Sequence, residues 1–195
     1  MTTSRSVVPF LKAKARGTMD DREIVEAIRS GHPLAPNWFV ASHQESVYGL
    51  CYRMLRHRQD AEDVVQETFL RAIRAIDRFD ASRPIRPWLF GIAVNRCKTV
   101  MSRRARRPVI ADQVEETPDP RPGLADPDDV SAEVDRAINR LRPEYRMVFI
   151  LFHEQQIPYD EIALVMNRPL GTVKTWLFRA RTELAEDLVR RGIRC

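Results

Sequence analysis

Residues 60–107 constrain the fold more than any other part of the chain. Apolar residues recur there every three or four positions in two segments, which is the spacing of one face of an amphipathic helix. A loop containing Pro84 and Pro87 separates the segments, and Pro87 is well placed to begin the second helix. From Arg96 to Arg107 the second segment carries six bases and no acid. The stretch therefore predicts two helices that end in a cationic surface suited to a polyanion.

The first of these helices is predicted to begin at Asp60, a good N-cap residue, with Asp63 at the capping-box position. Its inward face should carry the periodic residues Ala61, Val64, Val65, Thr68, Phe69, Ala72, Ile73 and Ile76. The opposite face begins with acidic and amide side chains. Most such faces are only solvated, but this one also suits docking to another protein.

The composition favours an all-α fold, because helix formers dominate and the chain of 195 residues contains only 7 glycines. A segment rich in acids and prolines interrupts the helical patterns and reads as an extended linker between two small helical domains. The predicted parts are a flexible basic tail, a first domain, the linker and a second domain, over residues 1–19, 20–107, 108–130 and 131–195.

The second domain contains a helix-turn-helix pattern. Residues 159–166 predict a short helix, and after a tight turn Thr172 is expected to cap a second helix. The second helix has an apolar seam formed by Val173, Leu177, Ala180 and Leu184. From Arg168 to Arg181 it carries bases and no acid. A helical hairpin in an unrelated bundle is the alternative, but the coincidence of cap, seam and basic face favours DNA binding.

Several functional classes find no support in the sequence. Cys51, Cys97 and Cys195 lie far apart, so they are expected to be reduced thiols, and neither a metal nor another cofactor is predicted. No nucleophile–base pair or phosphate loop is recognisable, which disfavours an enzyme. No apolar run approaches the roughly 20 residues that cross a membrane, so we expect no membrane insertion and a cytoplasmic protein.

Two motif blocks together resemble the bacterial RNA polymerase sigma factors of the extracytoplasmic-function (ECF) type. Residues 60–107 match through DAEDVVQETFLRA and RPWLFGIAVN, and residues 131–188 match through LRPEYRMVFIL, YDEIA and GTVKTWLFRARTEL. The resemblance implies a four-helix first domain that binds core RNA polymerase and the promoter −10 element. It also implies a second domain that binds the −35 element. Promoter DNA, core polymerase and an anti-sigma factor are the implied partners, and transcription initiation is the implied function.

The resemblance also assigns residues. The polymerase-docking positions are Asp63, Gln66 and Glu67. The −10 side comprises Asp80, Ser82, Arg83, Arg86, Asn95, Lys98 and Arg103, and residues 80–87 match the loop that captures a flipped base. The −35 side comprises Thr172, Lys174, Thr175, Trp176, Arg179 and Arg181. Phosphate contacts are expected from Arg103, Arg104, Arg106, Arg107, Arg179 and Arg181.

The chain departs from the family pattern at Trp176 and Phe178, where polar or basic residues are common. We expect both aromatics to be exposed, for apolar readout of a thymine methyl or for a protein partner. Two alternatives to a sigma factor therefore stay open: a sigma-like decoy that binds an anti-sigma factor, and a stand-alone helix-turn-helix regulator. The acidic linker could also fold back on a basic surface.

Overall fold

The computed structural model describes residues 19–106 and 130–193, and every regular element in these ranges is helical. The elements are α1 (Asp21–Arg29), α2 (Ala35–Leu55), α3 (Arg58–Ala75), a 3-10 turn (Ile76–Arg78), α4 (Ile85–Arg106), α5 (Val130–Arg140), α6 (Pro143–Phe149), a π-helical turn (Ile150–Glu154), α7 (Tyr159–Met166) and α8 (Leu170–Arg190). The all-α prediction is confirmed. The predicted tail to residue 18 and linker from 108 to 129 lie outside the described residues, and so do Arg107 and Cys195.

Helices α1–α4 form the first helical group. Helices α2, α3 and α4 pack against one another, and α1 covers α2. Phe39 of α2 meets Phe69 of α3 edge to face, with ring centroids 5.6 Å apart. Cys51 and Cys97 are both buried, and neither forms a disulfide. The periodic face predicted for α3 lies inward, with Ala61 and Ala72 fully buried.

Helix α3 begins two residues before the predicted cap. His57 is the N-cap, and its Nδ1 accepts a hydrogen bond from the backbone N–H of Asp60 at 3.2 Å. The carboxylate of Asp60 instead forms an ion pair with Arg104 of α4. The prediction was wrong because a histidine nitrogen serves as the cap acceptor, which leaves the aspartate for a tertiary contact.

The starts of α4 and α8 also precede their predicted positions. Helix α4 begins at Ile85, which is buried, so Pro87 lies in the first turn, where its missing N–H costs no hydrogen bond. Helix α8 begins at Leu170, directly after Pro169, and Thr172 is therefore within the first turn rather than the cap.

Helices α5–α8 form the second helical group, and α7 with α8 makes the predicted helix-turn-helix. Asn167 ends α7 in the left-handed conformation, with φ 52°, which asparagine tolerates better than most residues. The seam residues Val173, Leu177 and Ala180 of α8 are buried. The turn of residues 167–169 thus sets α8 across α7.

The two helical groups share one apolar core. Helix α4 packs on α7, and buried residues of both groups belong to a single cluster. Gly91 of α4 lies at this contact: a Cβ placed there would be 3.9 Å from the Cα of Val165. The composition break in the sequence therefore separates two helical groups that touch in space.

Candidate nucleic-acid and protein interface

The outer face of α3 holds the predicted polymerase-docking residues. Asp63 and Gln66 are exposed. Glu67 is tied to its neighbours, with its Oε2 2.5 Å from Arg96 Nη2 and its Oε1 2.8 Å from Arg71 Nη2. Burial alone would raise the pKa of Glu67, but hydrogen bonds and charge from Arg71 and Arg96 lower it. Glu67 is therefore an anionic tie between α3 and α4, while Asp63 and Gln66 remain available to a partner.

Leu70 belongs to the same face and was not predicted. It follows Gln66 by one helical turn, and 55% of its surface is exposed. The signal in the sequence is a leucine on the polar side of an otherwise regular amphipathic pattern. Single exposed leucines are common on protein surfaces, so Leu70 adds an apolar group to this face but does not by itself identify a partner.

The loop between the 3-10 turn and α4 carries three of the predicted −10 residues. The Oδ1 of Asp80 accepts hydrogen bonds from the backbone N–H of Ser82 at 2.9 Å and from its hydroxyl at 2.7 Å. These bonds lower the pKa of the Asp80 carboxyl. Arg83 Nε lies 3.5 Å from Asp80 Oδ2. The loop is therefore a self-bonded turn that presents a serine and an arginine to solvent.

A cavity of about 210 Å³ lies beneath this loop. One wall is the predicted loop, and the opposite wall is the first turn of α1, which the sequence did not suggest. The lining residues are Asp20, Asp21, Arg22, Val25, Phe79, Ala81, Ser82, Arg83, Pro84 and Ile85. Arg29 of α1 fixes the entry to the loop by donating to the carbonyls of Ile76 and Phe79.

The predicted −10 residues of α4 are only partly free. Asn95 and Arg103 are exposed. Lys98 is half-buried, with its Nζ 3.5 Å from the Met166 carbonyl oxygen of α7. Arg86 donates to Gln155 Oε1 at 2.7 Å and lies over the Phe90 ring. A surface groove along α4 is lined by Lys98, Thr99, Ser102, Arg103 and Arg106.

The basic run at the end of α4 is less available than its sequence indicates. Arg96 is bound to Glu67, and Arg104 donates to the Leu55 carbonyl at 3.0 Å as well as pairing with Asp60. These two cations hold α4 against α2 and α3. Phosphate contacts are thus open to Arg103 and Arg106, both exposed, rather than to the whole run.

On α8, the exposed residues differ from those expected at one position. Lys174 and Thr175 are exposed, and the Thr175 hydroxyl donates to the Gly171 carbonyl at 2.9 Å. Phe178 is 69% exposed, as expected. Trp176, expected to be exposed, is half-buried against the core, because it sits beside the seam over Tyr145 and Leu141.

Two arginines of α8 bond to other elements of the second helical group. Arg179 Nη1 donates to the Tyr145 hydroxyl at 3.2 Å, which raises the pKa of the arginine further. Arg181 Nε donates to His153 Nε2 at 3.1 Å, and its guanidinium lies 5.2 Å from the Phe152 ring centroid. Both side chains are exposed but pre-positioned, which suits contact with a fixed phosphate backbone. Thr172 is half-buried in the first turn.

Two further findings apply to the part of the chain that the structure describes. No group of three or more His, Cys, Asp or Glu side chains there could hold a metal ion. No helix in residues 19–106 or 130–193 is long and apolar enough to cross a membrane.

Family models match the chain on both sides of the linker. Sigma-70 region 2 matches residues 39–107, and Sigma-70, region 4 matches residues 131–184. The RNA polymerase sigma-H factor of Pseudomonas aeruginosa is 31% identical over 180 residues, covering 86% of this chain and 93% of that protein. The ECF RNA polymerase sigma-E factor of Haemophilus influenzae is 32% identical over 185 residues, covering 88% of this chain and 96% of that protein.

Solved structures show the same arrangement of helices. CnrH in complex with the cytosolic domain of CnrY is 28% identical, with a TM-score of 0.66 over 87% of this chain and 97% of CnrH. The sigma factor RpoE of Bartonella quintana, in complex with the anti-sigma factor NepR, shares the fold, with a TM-score of 0.64 at 23% identity over 78% of this chain and 95% of RpoE.

Proposed function

The chain belongs to the ECF family of RNA polymerase sigma factors, and on that premise we propose how its surfaces divide the work of promoter recognition. An alternative sigma factor directs polymerase to promoters. The first helical group, within residues 20–107, would bind core polymerase and the −10 element. The second, within residues 131–195, would bind the −35 element. The chemistry of RNA synthesis would remain with the polymerase, in the bacterial cytoplasm.

The −10 side would hold one unpaired strand. The cavity beneath residues 80–84 would receive an unstacked base, and extrusion of that base costs a few kcal/mol, which contacts in the cavity would offset. Ser82 and Arg83 face this cavity, and Asn95 and Arg103 would follow the strand along α4. Asp80 would act on the strand indirectly, because its carboxylate shapes the loop.

The −35 side would read a duplex with α8. Lys174 and Thr175 are exposed on the first turns of this helix and would reach base edges in the major groove, where one good contact is worth roughly 1–3 kcal/mol. Arg179 and Arg181 would bind backbone phosphates. Trp176 would position α8 from below rather than read a base, since it packs against the core.

The polymerase and an inhibitor would use other surfaces. Asp63, Gln66 and Leu70 of α3 would contact the core enzyme, with Glu67 keeping the helix in place. An anti-sigma factor is a further proposed partner, supported by the shared fold with RpoE in its complex with NepR. The exposed Phe178 gives such a partner an apolar anchor.

One observation carries the proposal: a single chain matches both sigma regions, in the family order, and Lys174 and Thr175 are exposed on α8. To test it, the full chain is mixed with core polymerase and a library of genomic fragments, and transcript 5′ ends are sequenced. We expect defined start sites that depend on the chain. Tight duplex binding without polymerase and without initiation would favour a stand-alone regulator. No DNA binding under either condition would favour a decoy.

A variant of α8 tests the assignment of the reading face. Lys174→Ala should relax the preference at the upstream element of the selected promoters. Arg190→Ala, an exposed base at the far end of the same helix, is the matched control and should leave that preference unchanged. An unaltered upstream consensus in Lys174→Ala would remove Lys174 from the reading face.

A further inference from the structure

The side chain of Arg181 on α8 is bonded to the π-helical turn of residues 150–154. Its Nε donates to His153 Nε2 at 3.1 Å, and its Cζ lies 5.2 Å from the centroid of the Phe152 ring. A guanidinium has five N–H donors, so a bond through Nε leaves the Nη1 and Nη2 groups for another acceptor. Arg181 is exposed. The arginine is therefore anchored at Nε while the end of its side chain remains accessible.

The π-helical turn brings two neighbouring side chains to this one arginine. The backbone N–H of Gln155 donates to the Ile150 carbonyl, five residues earlier, at 3.0 Å. Such wide turns are rare and are frequent at functional sites. The His153 ring contacts an aromatic ring on each side, with its centroid 4.5 Å from that of Phe149 and 5.0 Å from that of Phe152. Ring packing thus fixes the imidazole that accepts the arginine bond.

The bond requires a neutral imidazole. Nε2 of His153 can accept the Arg181 N–H only when it carries no proton, so the ring proton lies on Nδ1. Burial lowers the pKa of His153, the charge of Arg181 lowers it further, and Glu154 opposes both. Glu154 is itself paired with Arg53 of α2, and from α7 the ring of Tyr159 meets the neighbouring Phe152. The neutral ring is therefore favoured at neutral pH, and protonation in mild acid removes the acceptor.

We propose that His153 is a positioning residue for duplex binding: its neutral imidazole holds the Arg181 guanidinium where Nη1 and Nη2 can bind a backbone phosphate, and protonation of the imidazole releases the arginine. The effect on DNA rests on the proposed phosphate contact of α8, whereas the bond between the two side chains does not. A long side chain that is ordered before binding avoids an entropic cost, which corresponds to roughly a two- to tenfold gain in affinity. At the observed separation an imidazolium would repel the guanidinium, so acid should weaken duplex binding.

Nitrogen-15 NMR of the histidine rings measures the bond without any DNA. In the full chain at pH 7.5, His153 should be the neutral tautomer with its proton on Nδ1. Arg181→Ala should raise the pKa of His153, because a nearby positive charge is removed. Arg179→Ala removes an arginine of the same helix that bonds to Tyr145 instead, and this matched control should leave that pKa nearly unchanged. A proton on Nε2, or the same pKa with and without Arg181, would overturn the bond.

Binding to a labelled duplex of roughly 20 base pairs and mixed sequence measures the effect on DNA. His153→Ala should weaken binding roughly fivefold at pH 7.5 with little change in salt dependence, because the guanidinium charge remains. Arg181→Ala should reduce the slope of log affinity against log salt by about 0.9. His153→Ala should have no further effect in the Arg181→Ala background and its full effect in the Arg179→Ala background. Additive losses from His153 and Arg181 would contradict the positioning role.

A conservative variant and a pH profile separate positioning from a general effect on structure. In His153→Gln the amide oxygen can accept the Arg181 N–H in place of Nε2, and it does not titrate. His153→Gln should therefore recover most of the affinity that His153→Ala loses. Between pH 7.5 and 5.5 the unaltered chain should lose duplex affinity relative to His153→Gln. A gain in affinity on acidification, or a His153→Gln variant as weak as His153→Ala, would overturn the proposal.

The same experiments distinguish this inference from the proposed function. If the chain supports initiation with polymerase but the losses from His153 and Arg181 are additive, the inference fails and the proposed function stands. If coupling and pH profile are as expected but no initiation occurs, the proposed function fails and the positioning role in duplex binding stands. A complete absence of duplex binding by the unaltered chain would overturn both.

Discussion

The protonation and exposure of individual residues in this chain depend on their neighbours more than on their type. His43 is a buried histidine of α2 whose Nε2 lies 3.2 Å from Asp21 Oδ1 of α1. Burial lowers the pKa of His43 from its ordinary value, and the charge of Arg86 adds to this, while Asp21 opposes both. A histidine in this position makes the first helical group sensitive to mild acid.

We predict that the free energy of unfolding falls as the pH drops below about 6.5, the ordinary pKa of histidine. In that range the unfolded chain binds a proton on His43 that the folded chain resists, so protonation favours unfolding. His153, whose pKa is lowered by burial and by Arg181, contributes with the same sign. Urea unfolding at pH 7.5 and 5.5 measures the difference.

Two substitutions assign this pH dependence. His43→Gln should reduce the loss of stability on acidification, and Asp21→Asn should increase it, because the carboxylate that favours the charged imidazole is gone. An identical loss in His43→Gln and the unaltered chain would show that His43 does not cause it.

The two aromatics of α8 give opposite predictions. Trp176→Ala should destabilise the chain by about 2 kcal/mol, less than a fully buried tryptophan costs, because the ring is only half-buried. Phe178→Ala should change stability by less than about 0.5 kcal/mol, since the ring is mostly solvated. Urea denaturation gives both values. Equal effects, or a larger effect for Phe178, would contradict the packing role of Trp176.

At the scale of elements, the two sides of α3 differ: one side is fixed by packing and ion pairs, and the other is exposed to solvent. Glu67 pairs with Arg96 of α4, and Asp60 pairs with Arg104 of the same helix. These two ion pairs fix α3 against α4. The outer row of Asp63, Gln66 and Leu70 makes no such tie in the bonds described. A partner of α3 therefore meets a pre-positioned surface, which lowers the entropic cost of binding.

We predict that Gln66→Ala and Leu70→Ala each weaken binding to core polymerase by about 1 kcal/mol, roughly fivefold, without loss of stability. Both side chains are exposed, so their removal leaves no cavity. Leu34→Ala, another exposed leucine next to α2, is the control. Fluorescence anisotropy of the labelled chain with core polymerase measures affinity. Equal affinities for all three variants would place the docking surface elsewhere.

At the scale of the whole molecule, the continuous core makes the two helical groups energetically dependent on each other. Buried residues from α4 and α7 belong to one apolar cluster. Beside it, Arg53 of α2 forms ion pairs with Asp135 of α5 and with Glu154 at the end of the π-helical turn. Cooperative unfolding of small proteins follows from such shared packing.

We therefore predict that the full chain unfolds in a single urea transition, with coincident curves from circular dichroism and tryptophan fluorescence. Trp88 reports on the first helical group and Trp176 on the second. Gly91→Leu should separate the curves, because the added side chain would meet the Val165 backbone of α7 and uncouple the two groups. Separate transitions in the unaltered chain would show that the shared core contributes little to stability.

Local patterns in the sequence determined the helices and their type. Apolar periodicity predicted the inward face of α3, and residues 159–166 were identified as α7. These features depend on neighbours within one or two helical turns, so the sequence contains them directly. The same local logic misplaced the N-caps of α3 and α8 by three residues, since the caps are His57 and Pro169 rather than Asp60 and Thr172. At α3, a histidine nitrogen accepts the N–H bond that was expected to go to the aspartate.

Only the tertiary structure decided which charged and aromatic side chains are exposed and free to contact a partner. The sequence shows six bases and no acid from Arg96 to Arg107, but Arg96 and Arg104 are bound within the first helical group, and Lys98 is half-buried beside α7. The burial of Trp176 and the α1 wall of the cavity likewise depend on residues distant in sequence. A charge pairs with whatever the fold brings within a few ångströms, and periodicity carries no information about that distance.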